Sequence, residues 1–446
     1  MSFLVIGGDA AGMSAASRAK RNRPDMTVTV LEKTADVSYS ACGMPYNIAN
    51  PDRSIEDLVV RRAEVFREKQ GIDLRTGINA TAIDPANKTV TTQDSEGNES
   101  TVGYASLLVA TGAAPVKPEI PGIDLPGVMV LKNLAQGRAM KQFIDQWAVK
   151  KTVIVGMGYI ALEMCEALRE RGIAVDMVKP RQTFLPWMEG HLADQIKNEI
   201  ASQGVGIHLG QTVQRFEKAN GRLAVACTDL ELEADLVLVA IGVRPVSDLA
   251  AAAGLQTSVK GAIAVDARQR TSEKNIYAAG DCADAFHVVT GQRTWIPLAL
   301  RANRAGWAVA DNVCGIKRRL AGVAGSAVFK VFDFQVARTG LNESEARAAG
   351  LEPASVVIKS RSRAHAHPGA SDIWVYMVGD RGSGRLLGVQ MVGHDGVAHR
   401  VHAPSVALHA HMTVEQFSLT DLGYAPPFGP TWDPMLTAAN QLLKKL

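Results

Sequence analysis

The 446-residue sequence predicts an α/β fold with two Rossmann-like dinucleotide-binding domains, followed by a C-terminal α+β domain. Three observations support this prediction. A glycine-rich turn at residues 7–12 joins an apolar run to a helical stretch, and a second such turn occupies residues 156–161. From residue 323 onward, strand-like runs alternate with a helix that carries a capping signal.

Composition narrows the class of protein. Lys and Arg total 48 against 45 Asp and Glu, so a net charge of +3 gives no electrostatic case for nucleic acid. The longest apolar runs, such as residues 236–243, are far too short to span a bilayer. The first strand begins near residue 3, which predicts no signal peptide, and five scattered cysteines fit a reducing compartment. We therefore expect a cytoplasmic protein with no nucleic-acid or membrane partner.

The first dinucleotide unit begins with the chain. A strand at 3–6 precedes the turn, the helix is predicted over 13–22, and a second strand at 27–31 ends at an acid. Asp9 replaces the second glycine of the usual pattern, which brings a charge near the expected phosphates. The predicted cofactor contacts in this unit are Gly7, Gly12, Glu32 and Lys33.

Two more segments complete this unit. Residues 271–281 carry the T-x5-Y-A-x-G-D pattern, in which the aspartate holds the ribityl chain of a flavin. Residues 107–112 predict the strand that crosses back toward the flavin. These segments predict FAD as a cofactor and add Thr111, Gly112, Gly280 and Asp281 as contacts; the alternative for Asp281 is an ordinary turn aspartate.

The second unit follows the same order, with a strand at 152–155, a helix at 162–171 and a strand at 174–178. Basic residues stand where an acid would hold a 2′-hydroxyl, and two cations there suit the 2′-phosphate of NADPH. The alternative is ordinary surface basicity at a strand end. The predicted contacts for NADPH or NADH are Gly156, Gly158, Tyr159, Ile160, Lys179, Arg181 and Gly242.

These motifs predict the domain boundaries. The FAD-binding domain is split into residues 1–113 and 246–322, the NAD(P)-binding domain covers 114–245, and a dimerisation domain covers 323–446. In the last domain we expect strands at 373–378 and 386–392, a helix capped by Asn342, and a final helix that starts at Asp433-Pro434. Histidines crowd residues 394–411, but no third ligand is obvious, so we predict no metal site.

Cys42 stands alone in the stretch 38–46, just after the first unit, and the next cysteine is Cys165. One thiol beside a flavin can form a mixed disulfide with an external thiol or pass through a sulfenic acid. The alternative is a buried structural cysteine.

Together these motifs resemble the flavoprotein pyridine-nucleotide disulfide reductases over essentially the whole chain. The single cysteine in S-x3-C-x2-P-Y, with Tyr424-Ala425-Pro426-Pro427-Phe428, is similar to the coenzyme A disulfide reductase branch, which includes persulfide reductases, NADH oxidases and NADH peroxidases. The resemblance implies a homodimer with shared active sites. It implies that Cys42 is the redox centre and that Tyr424 of the other subunit supplies a proton or steadies the thiolate. It also implies that the protein depresses the pKa of Cys42.

The resemblance carries a coenzyme A site to particular positions. It implies substrate contacts at Ser14, Arg18, Arg21 and Ser38, and basic residues Arg61 and Arg62 could face the phosphates. The alternative is that these cations complement a helix dipole or are simply solvated. Two positions depart from the family: Ala41 replaces an asparagine, and Ala366-His367-Pro368 replaces a Tyr-Tyr-Pro stretch.

The electron acceptor stays open at this stage. We expect reduction of coenzyme A disulfide or of a coenzyme A persulfide or polysulfide by NAD(P)H through Cys42. The alternatives are an NAD(P)H oxidase or peroxidase, a flavin-mediated metal or quinone reductase, and a non-enzymatic flavoprotein redox sensor.

Overall fold

The computed structural model describes residues 2–219 and 221–446. It confirms an α/β fold with two parallel sheets and a C-terminal antiparallel sheet.

The first unit is a nucleotide-binding sheet with a small antiparallel sheet attached. Helix α1 begins at Ala10, three residues earlier than predicted, because Asp9 already takes the N-cap position with an extended backbone. One-turn 3-10 segments cover Ala41–Gly43 and Ile55–Leu58, and a π-helical turn covers Val65–Lys69. The elements are β1 (Ser2–Ile6), α1 (Ala10–Asn22), β2 (Thr27–Glu32), α2 (Met44–Ala49), β3 (Asp73–Thr76), β4 (Asn79–Asp84), β5 (Thr89–Gln93), β6 (Glu99–Gly103), β7 (Ser106–Val109) and β8 (Ala113–Pro115).

The second unit repeats this plan. Helix α4 begins at Tyr159 instead of the predicted residue 162, because Gly158 is its N-cap. Asn133 and Gln136 form a capping box at the start of α3, which the sequence analysis missed. The elements are β9 (Val128–Met129), α3 (Leu134–Gln146), β10 (Lys151–Val155), α4 (Tyr159–Glu170), β11 (Ala174–Lys179), α5 (Gly190–Ser202), β12 (Gly206–Leu209), β13 (Val213–Ala219), β14 (Arg222–Cys227), β15 (Glu231–Ala234), β16 (Leu236–Val239) and β17 (Val243–Pro245).

The chain then returns to the first sheet through α6 (Asp248–Ala252), β18 (Ile276–Ala278), β19 (Ala285–Phe286), β20 (Arg293–Thr294) and α7 (Ala299–Val313). The two parallel sheets have the orders β18-β7-β1-β2-β3 and β12-β11-β10-β16-β9. In each, the strand that leads into the glycine turn, β1 or β10, lies in the centre and is flanked by buried strands, which explains the continuous apolar runs in the sequence. Strands β8 and β17, which connect the units, pair antiparallel side by side.

The C-terminal domain is an antiparallel sheet of order β21-β22-β25-β24-β23 with helices packed on it. Asn342 and Glu345 form the predicted capping box, and Asp433 caps the last helix, which ends at Leu443. The elements are β21 (Ala327–Val331), β22 (Phe334–Gly340), α8 (Glu343–Ala348), β23 (Pro353–Arg361), β24 (Asp372–Asp380), β25 (Leu386–Gly393), α9 (Val397–Arg400), α10 (His402–His409), α11 (Val414–Ser418) and α12 (Pro434–Leu443).

One hydrophobic core runs from the second unit into the C-terminal sheet. At the junction, the ring of Tyr159 lies 5.2 Å from that of Trp187 and 4.8 Å from that of Phe329. The largely buried carboxylate of Glu166 accepts hydrogen bonds from Lys330 and from the backbone N–H of Phe332. These contacts fix the second unit against the C-terminal domain. In the part of the chain that the structure describes, no helix is both long and apolar enough to cross a membrane.

Candidate active site

The two glycine turns have the same geometry. Gly7 has φ +111° and Gly156 has φ +114°, and a Cβ on either would lie 2.2–2.3 Å from the carbonyl oxygen of Ala110 or Ala240. At Gly12, a Cβ would lie 1.9 Å from the carbonyl oxygen of Gly7. Only glycine allows these approaches. The turns therefore bring the N-termini of α1 and α4 close to their strands, as a dinucleotide pyrophosphate requires.

Glu32 lies at the end of β2 with its carboxylate fixed by neighbouring donors. Its Oε2 accepts from the backbone N–H of Gly8 at 2.8 Å, and its Oε1 accepts from the N–H and the hydroxyl of Thr34, both at 2.8 Å. A carboxylate oxygen has two acceptor sites, so Oε1 is fully used, whereas Oε2 can still accept a ribose hydroxyl. Lys33 is exposed beside it.

Asp9 stands at the N-cap of α1, yet within the described chain its side chain makes no capping hydrogen bond. Its Oδ1 is buried and has no hydrogen-bond partner among the described residues. Burial raises the pKa of this carboxyl group to about 6, while the N–H of Tyr39 and the charge of Lys132 oppose the rise and Glu32 adds to it. The second-glycine position thus holds a carboxyl group that is costly to ionise.

Asp281 lies on the turn after β18, where Gly280 has φ +84°. The Oδ2 of Asp281 accepts from the Nζ of Lys132 at 3.1 Å, and its carbonyl accepts from the Nε1 of Trp295 at 2.8 Å. On the neighbouring crossover, the hydroxyl of Thr111 donates to the carbonyl of Val246 at 2.5 Å, and Gly112 has φ +73°. Lys132 comes from the second unit, so this turn is held from both units.

Cys42 lies in the 3-10 turn directly before α2 and is exposed, whereas Cys165, Cys227 and Cys282 are buried and Cys314 is half-buried. The residue is exposed, but protein atoms enclose part of the region around its thiol, and this burial raises the pKa of the thiol. The carboxylate of Glu163 adds to the rise, and the charge of Lys132 opposes it. Within one subunit the surroundings of Cys42 therefore raise this pKa, which is the opposite of the expected depression.

Glu163 is a residue that the sequence analysis missed. It lies on α4, and its Oε1 accepts a hydrogen bond from the hydroxyl of Tyr46 at 3.0 Å. Burial raises the pKa of Glu163, and the bond from Tyr46 lowers it. The available signal was an acid on the helix that follows the second glycine turn. Glu163 therefore places a titratable group of the second unit beside the segment that carries Cys42.

The α1 residues predicted to bind substrate face α7. The hydroxyl of Ser14 donates to the Oδ1 of Asn303 at 2.5 Å. Arg18 is not the free cation that the sequence predicts, because it makes a bidentate pair with Asp311 at 2.6 and 2.9 Å and covers the ring of Trp307. Arg21, in the last turn of α1, is exposed.

Ser38 lies on the loop that carries Cys42 and has φ +48°. Its carbonyl accepts from the N–H groups of Val60 and Arg61, so the structure brings Ser38 and Arg61 together. The guanidinium of Arg61 lies over the ring of Phe66, and Arg62 is exposed. No hydrogen bond or ion pair between described residues joins this group to Ser14 or Arg18.

The residues predicted to contact NAD(P)H differ in whether their side chains can reach a ligand. The Nζ of Lys179 donates to the carbonyls of Thr183 at 3.0 Å and Phe184 at 2.7 Å, which leaves one N–H for a ligand. Arg181 and Ile160 are exposed, and Gly242 has φ +123°. The ring of Tyr159 packs against the C-terminal domain, so its side chain is not the free nucleotide contact that we predicted.

Two C-terminal segments that the sequence analysis singled out lie against each other. The N–H of Ala364, in the loop that contains His367, donates to the carbonyl of Pro426 at 3.0 Å. Next to it, Tyr424 is 51% exposed and Phe428 is 79% exposed. Both rings are available to a second subunit. The rings of His399 and His402 lie 6.2 Å apart, and among the described residues no group of three potential ligands could hold a metal ion.

Two dinucleotide-binding turns with a thiol between them in the sequence are typical of an oxidoreductase that binds both a flavin and a pyridine nucleotide. Residues 1–306 match the family model "Pyridine nucleotide-disulphide oxidoreductase", and residues 326–435 match the dimerisation domain of that family. The chain belongs to this family.

Similar proteins cover the whole chain. A Pyrococcus abyssi protein described as "NAD(P)H sulfur oxidoreductase (CoA-dependent)" is 38% identical over 98% of this chain and 97% of its own length. A Methanocaldococcus jannaschii protein described as "NADH oxidase" is 32% identical over 100% of this chain and 99% of its own. The solved structure of an NAD-dependent persulfide reductase from A. fulgidus matches with a TM-score of 0.96 and 36% identity, covering 100% of this chain and 83% of that one.

Proposed function

We propose that this protein is an FAD-dependent NAD(P)H oxidoreductase that reduces coenzyme A disulfide or a coenzyme A persulfide or polysulfide through Cys42. The observation that carries the proposal is the position of this thiol. It is exposed on the turn before α2, and its pKa is influenced both by Asp281 of the first unit and by Glu163 of the second. The full-length relative described as a CoA-dependent sulfur oxidoreductase points to the same acceptor class.

The residues present fit FAD. Gly7 and Gly12 allow the N-terminus of α1 to approach a pyrophosphate, Glu32 has an acceptor site for a ribose hydroxyl, and Asp281 lies on the turn suited to the ribityl chain. When bound, FAD supplies two-electron exchange between a pyridine nucleotide and a thiol. The corresponding turn at Gly156 and the start of α4 would hold the NAD(P)H pyrophosphate.

The thiol chemistry balances with one reduced nucleotide for each disulfide. The Cys42 thiolate attacks one sulfur of the acceptor, the S–S bond breaks, and one thiol leaves with a proton. The mixed disulfide then takes two electrons that originate from NAD(P)H, which releases the second thiol and returns Cys42 to the thiolate. Because burial raises the pKa of Cys42, a bound cofactor and the partner subunit must stabilise the thiolate at neutral pH.

We infer a homodimer with shared active sites. The dimerisation domain presents Tyr424, Phe428 and Trp432 as exposed rings, which suit burial against a second copy. In this arrangement Tyr424 of one subunit supplies the proton at Cys42 of the other. The exposed cations Arg21, Arg61 and Arg62 are the proposed contacts for the phosphates of coenzyme A, with Ser38 beside them.

A second candidate is an NAD(P)H oxidase, which the full-length similarity to an NADH oxidase favours. The two activities differ in the need for a thiol that exchanges with an external disulfide. Reduction of oxygen by a flavin requires no such exchange.

The test is Cys42→Ser, with Cys314→Ser as the matched control because Cys314 is half-buried near α1. We expect Cys42→Ser to keep bound FAD and to lose reduction of coenzyme A disulfide and persulfide, while the control keeps both. Mass spectrometry of the isolated protein should find a coenzyme A adduct on the peptide containing Cys42. Wild-type rates of disulfide reduction in Cys42→Ser would contradict the proposal, and a wild type that reduces oxygen but neither coenzyme A disulfide nor persulfide would favour the oxidase.

A further inference from the structure

Lys141, on α3, has its ammonium group enclosed by oxygen atoms from one short segment. Its Nζ donates to the carbonyl and the Oδ1 of Asn47, both at 3.1 Å, to the carbonyl of Asn50 at 2.8 Å, and to the carbonyl of Arg53. The residue is only 9% exposed. An ammonium group has three N–H donors, so four oxygens satisfy it completely.

This arrangement is unusual for a lysine. No carboxylate of the described residues lies within ion-pair distance of its Nζ, so its direct acceptors are carbonyl and amide oxygens, while Asp145 and Asp57 favour the charge from farther away. Burial lowers the pKa of Lys141, and the charge of Arg171 lowers it further. A buried cation without a directly paired carboxylate costs free energy, and a lysine used only for packing could be replaced by an apolar residue. The cost points to a specific role for the charge.

The oxygens come from the end of α2 and the loop after it, and α2 begins two residues after Cys42. The same helix α3 holds both sides of this segment. The guanidinium of Arg138 pairs with Asp36, before Cys42, at 2.7 Å and with Glu56, after it, at 2.5 Å. A methyl group added at Gly137 would lie 3.3 Å from the sulfur of Met44. Residues 137–141 of helix α3 therefore contact the segment that carries Cys42.

The other side of α2 faces α4. The hydroxyl of Tyr46 donates to Glu163, and a guanidinium N–H of Arg171 donates to the carbonyl of Ile48 at 3.3 Å. Helix α2 thus lies between two helices of the second unit, although Cys42 serves the flavin site of the first unit in the proposed function. Lys141 alone gives four hydrogen bonds to the end of α2 and the loop after it.

We propose that Lys141 is a positioning residue for Cys42: its ammonium group fixes the end of α2 against the second unit and so sets where the thiol stands. The inference rests on the proposed role of Cys42 in thiol exchange. Without the cation, the carbonyls of Asn47, Asn50 and Arg53 lose their donor and turn toward water, and α2 shifts with them.

The experiment compares wild-type holoenzyme with Lys141→Met, and with Lys150→Met as the control, because Lys150 is exposed just after the same helix. Three quantities are measured: the rate of FAD reduction by NAD(P)H in a single turnover, kcat and KM for coenzyme A disulfide, and the pH dependence of iodoacetamide alkylation at Cys42, read by peptide mass spectrometry. Where Lys141→Met does not accumulate as folded holoenzyme, Lys141→Gln, which keeps N–H donors, replaces it.

We expect FAD reduction within twofold of wild type, a fall in kcat of at least tenfold, and a shifted midpoint of alkylation at Cys42. The control should change none of these. An unchanged alkylation profile and kcat, with only a lower melting temperature, would show that Lys141 is purely structural and overturn the inference. Loss of FAD reduction would overturn it as well. Failure of the proposed function is separately visible, because Cys42→Ser would then keep disulfide reduction.

Discussion

Replacing Asp9 with asparagine should stabilise the protein at neutral and alkaline pH. The carboxyl group has a pKa of about 6 in the folded chain against an ordinary value of 3.8, a difference of about 2.2 pH units. At 1.36 kcal/mol per unit this corresponds to about 3 kcal/mol of folding free energy, which is an upper bound. Asparagine removes the charge and keeps an oxygen that can accept from the N–H of Tyr39.

The sign follows from proton linkage. Because the folded pKa is raised, the folded protein holds this proton more tightly than the unfolded chain, and the full stability is present below about pH 3.8. It is lost as the pH rises toward 6, and above 6 the whole cost of the ionised carboxylate is present. A bound pyrophosphate adds negative charge beside Asp9 and therefore increases this cost.

The assay is urea unfolding of FAD-saturated wild type and Asp9→Asn at pH 4.5, 6 and 8, followed by tryptophan fluorescence. We expect Asp9→Asn to be more stable by about 1–3 kcal/mol at pH 8, with the gain shrinking toward pH 4.5. Asp52→Asn, at an exposed acid, is the control and should change little at any pH. An equal or lower stability of Asp9→Asn at pH 8, or a gain that does not depend on pH, would refute the reasoning.

Two further predictions concern the chemistry. Wild type should accept NADPH and prefer it to NADH, and Lys179→Glu should move the ratio of kcat/KM values toward NADH by roughly ten- to hundredfold, because one charge-assisted hydrogen bond is worth about 1.5–3 kcal/mol; a preference of wild type for NADH, or an unmoved ratio in the variant, would contradict this. Glu163→Gln should lower the pKa of Cys42, because the carboxylate of Glu163 raises it; alkylation of Cys42 at increasing pH measures the midpoint, and an unchanged or higher midpoint would contradict the electrostatic assignment.

The parts of the fold that depend on local geometry could be predicted from the sequence. At Gly7, Gly12 and Gly156 a carbonyl oxygen occupies the space that a Cβ would need. The glycine pattern in the sequence therefore predicts these turns directly. The capping box at Asn342 and the start of the last helix at Asp433 were likewise predicted correctly, because both signals lie within a few residues.

Contacts between distant segments could not be predicted. Arg18 pairs with an aspartate 293 residues away, and the sequence shows only a basic helix end. Tyr159 packs on Phe329 of another domain, so a residue next to a nucleotide turn became part of a domain junction. The pKa of Cys42 depends on burial and on Glu163, both of which result from how the two units pack.

The paired connectors β8 and β17 mean that the chain enters and leaves the second unit at one place. By topology alone, the second unit could be exchanged as a whole for the corresponding unit of another enzyme. The contacts of the second unit oppose such an exchange, because Lys141 binds the loop after α2 on one side and Glu166 binds Lys330 of the C-terminal domain on the other. A second unit taken from another enzyme would lose both attachments. Transferring the preference for NADPH or NADH between such enzymes should therefore succeed by substitutions in the short loop 179–184 and fail by exchange of the whole unit.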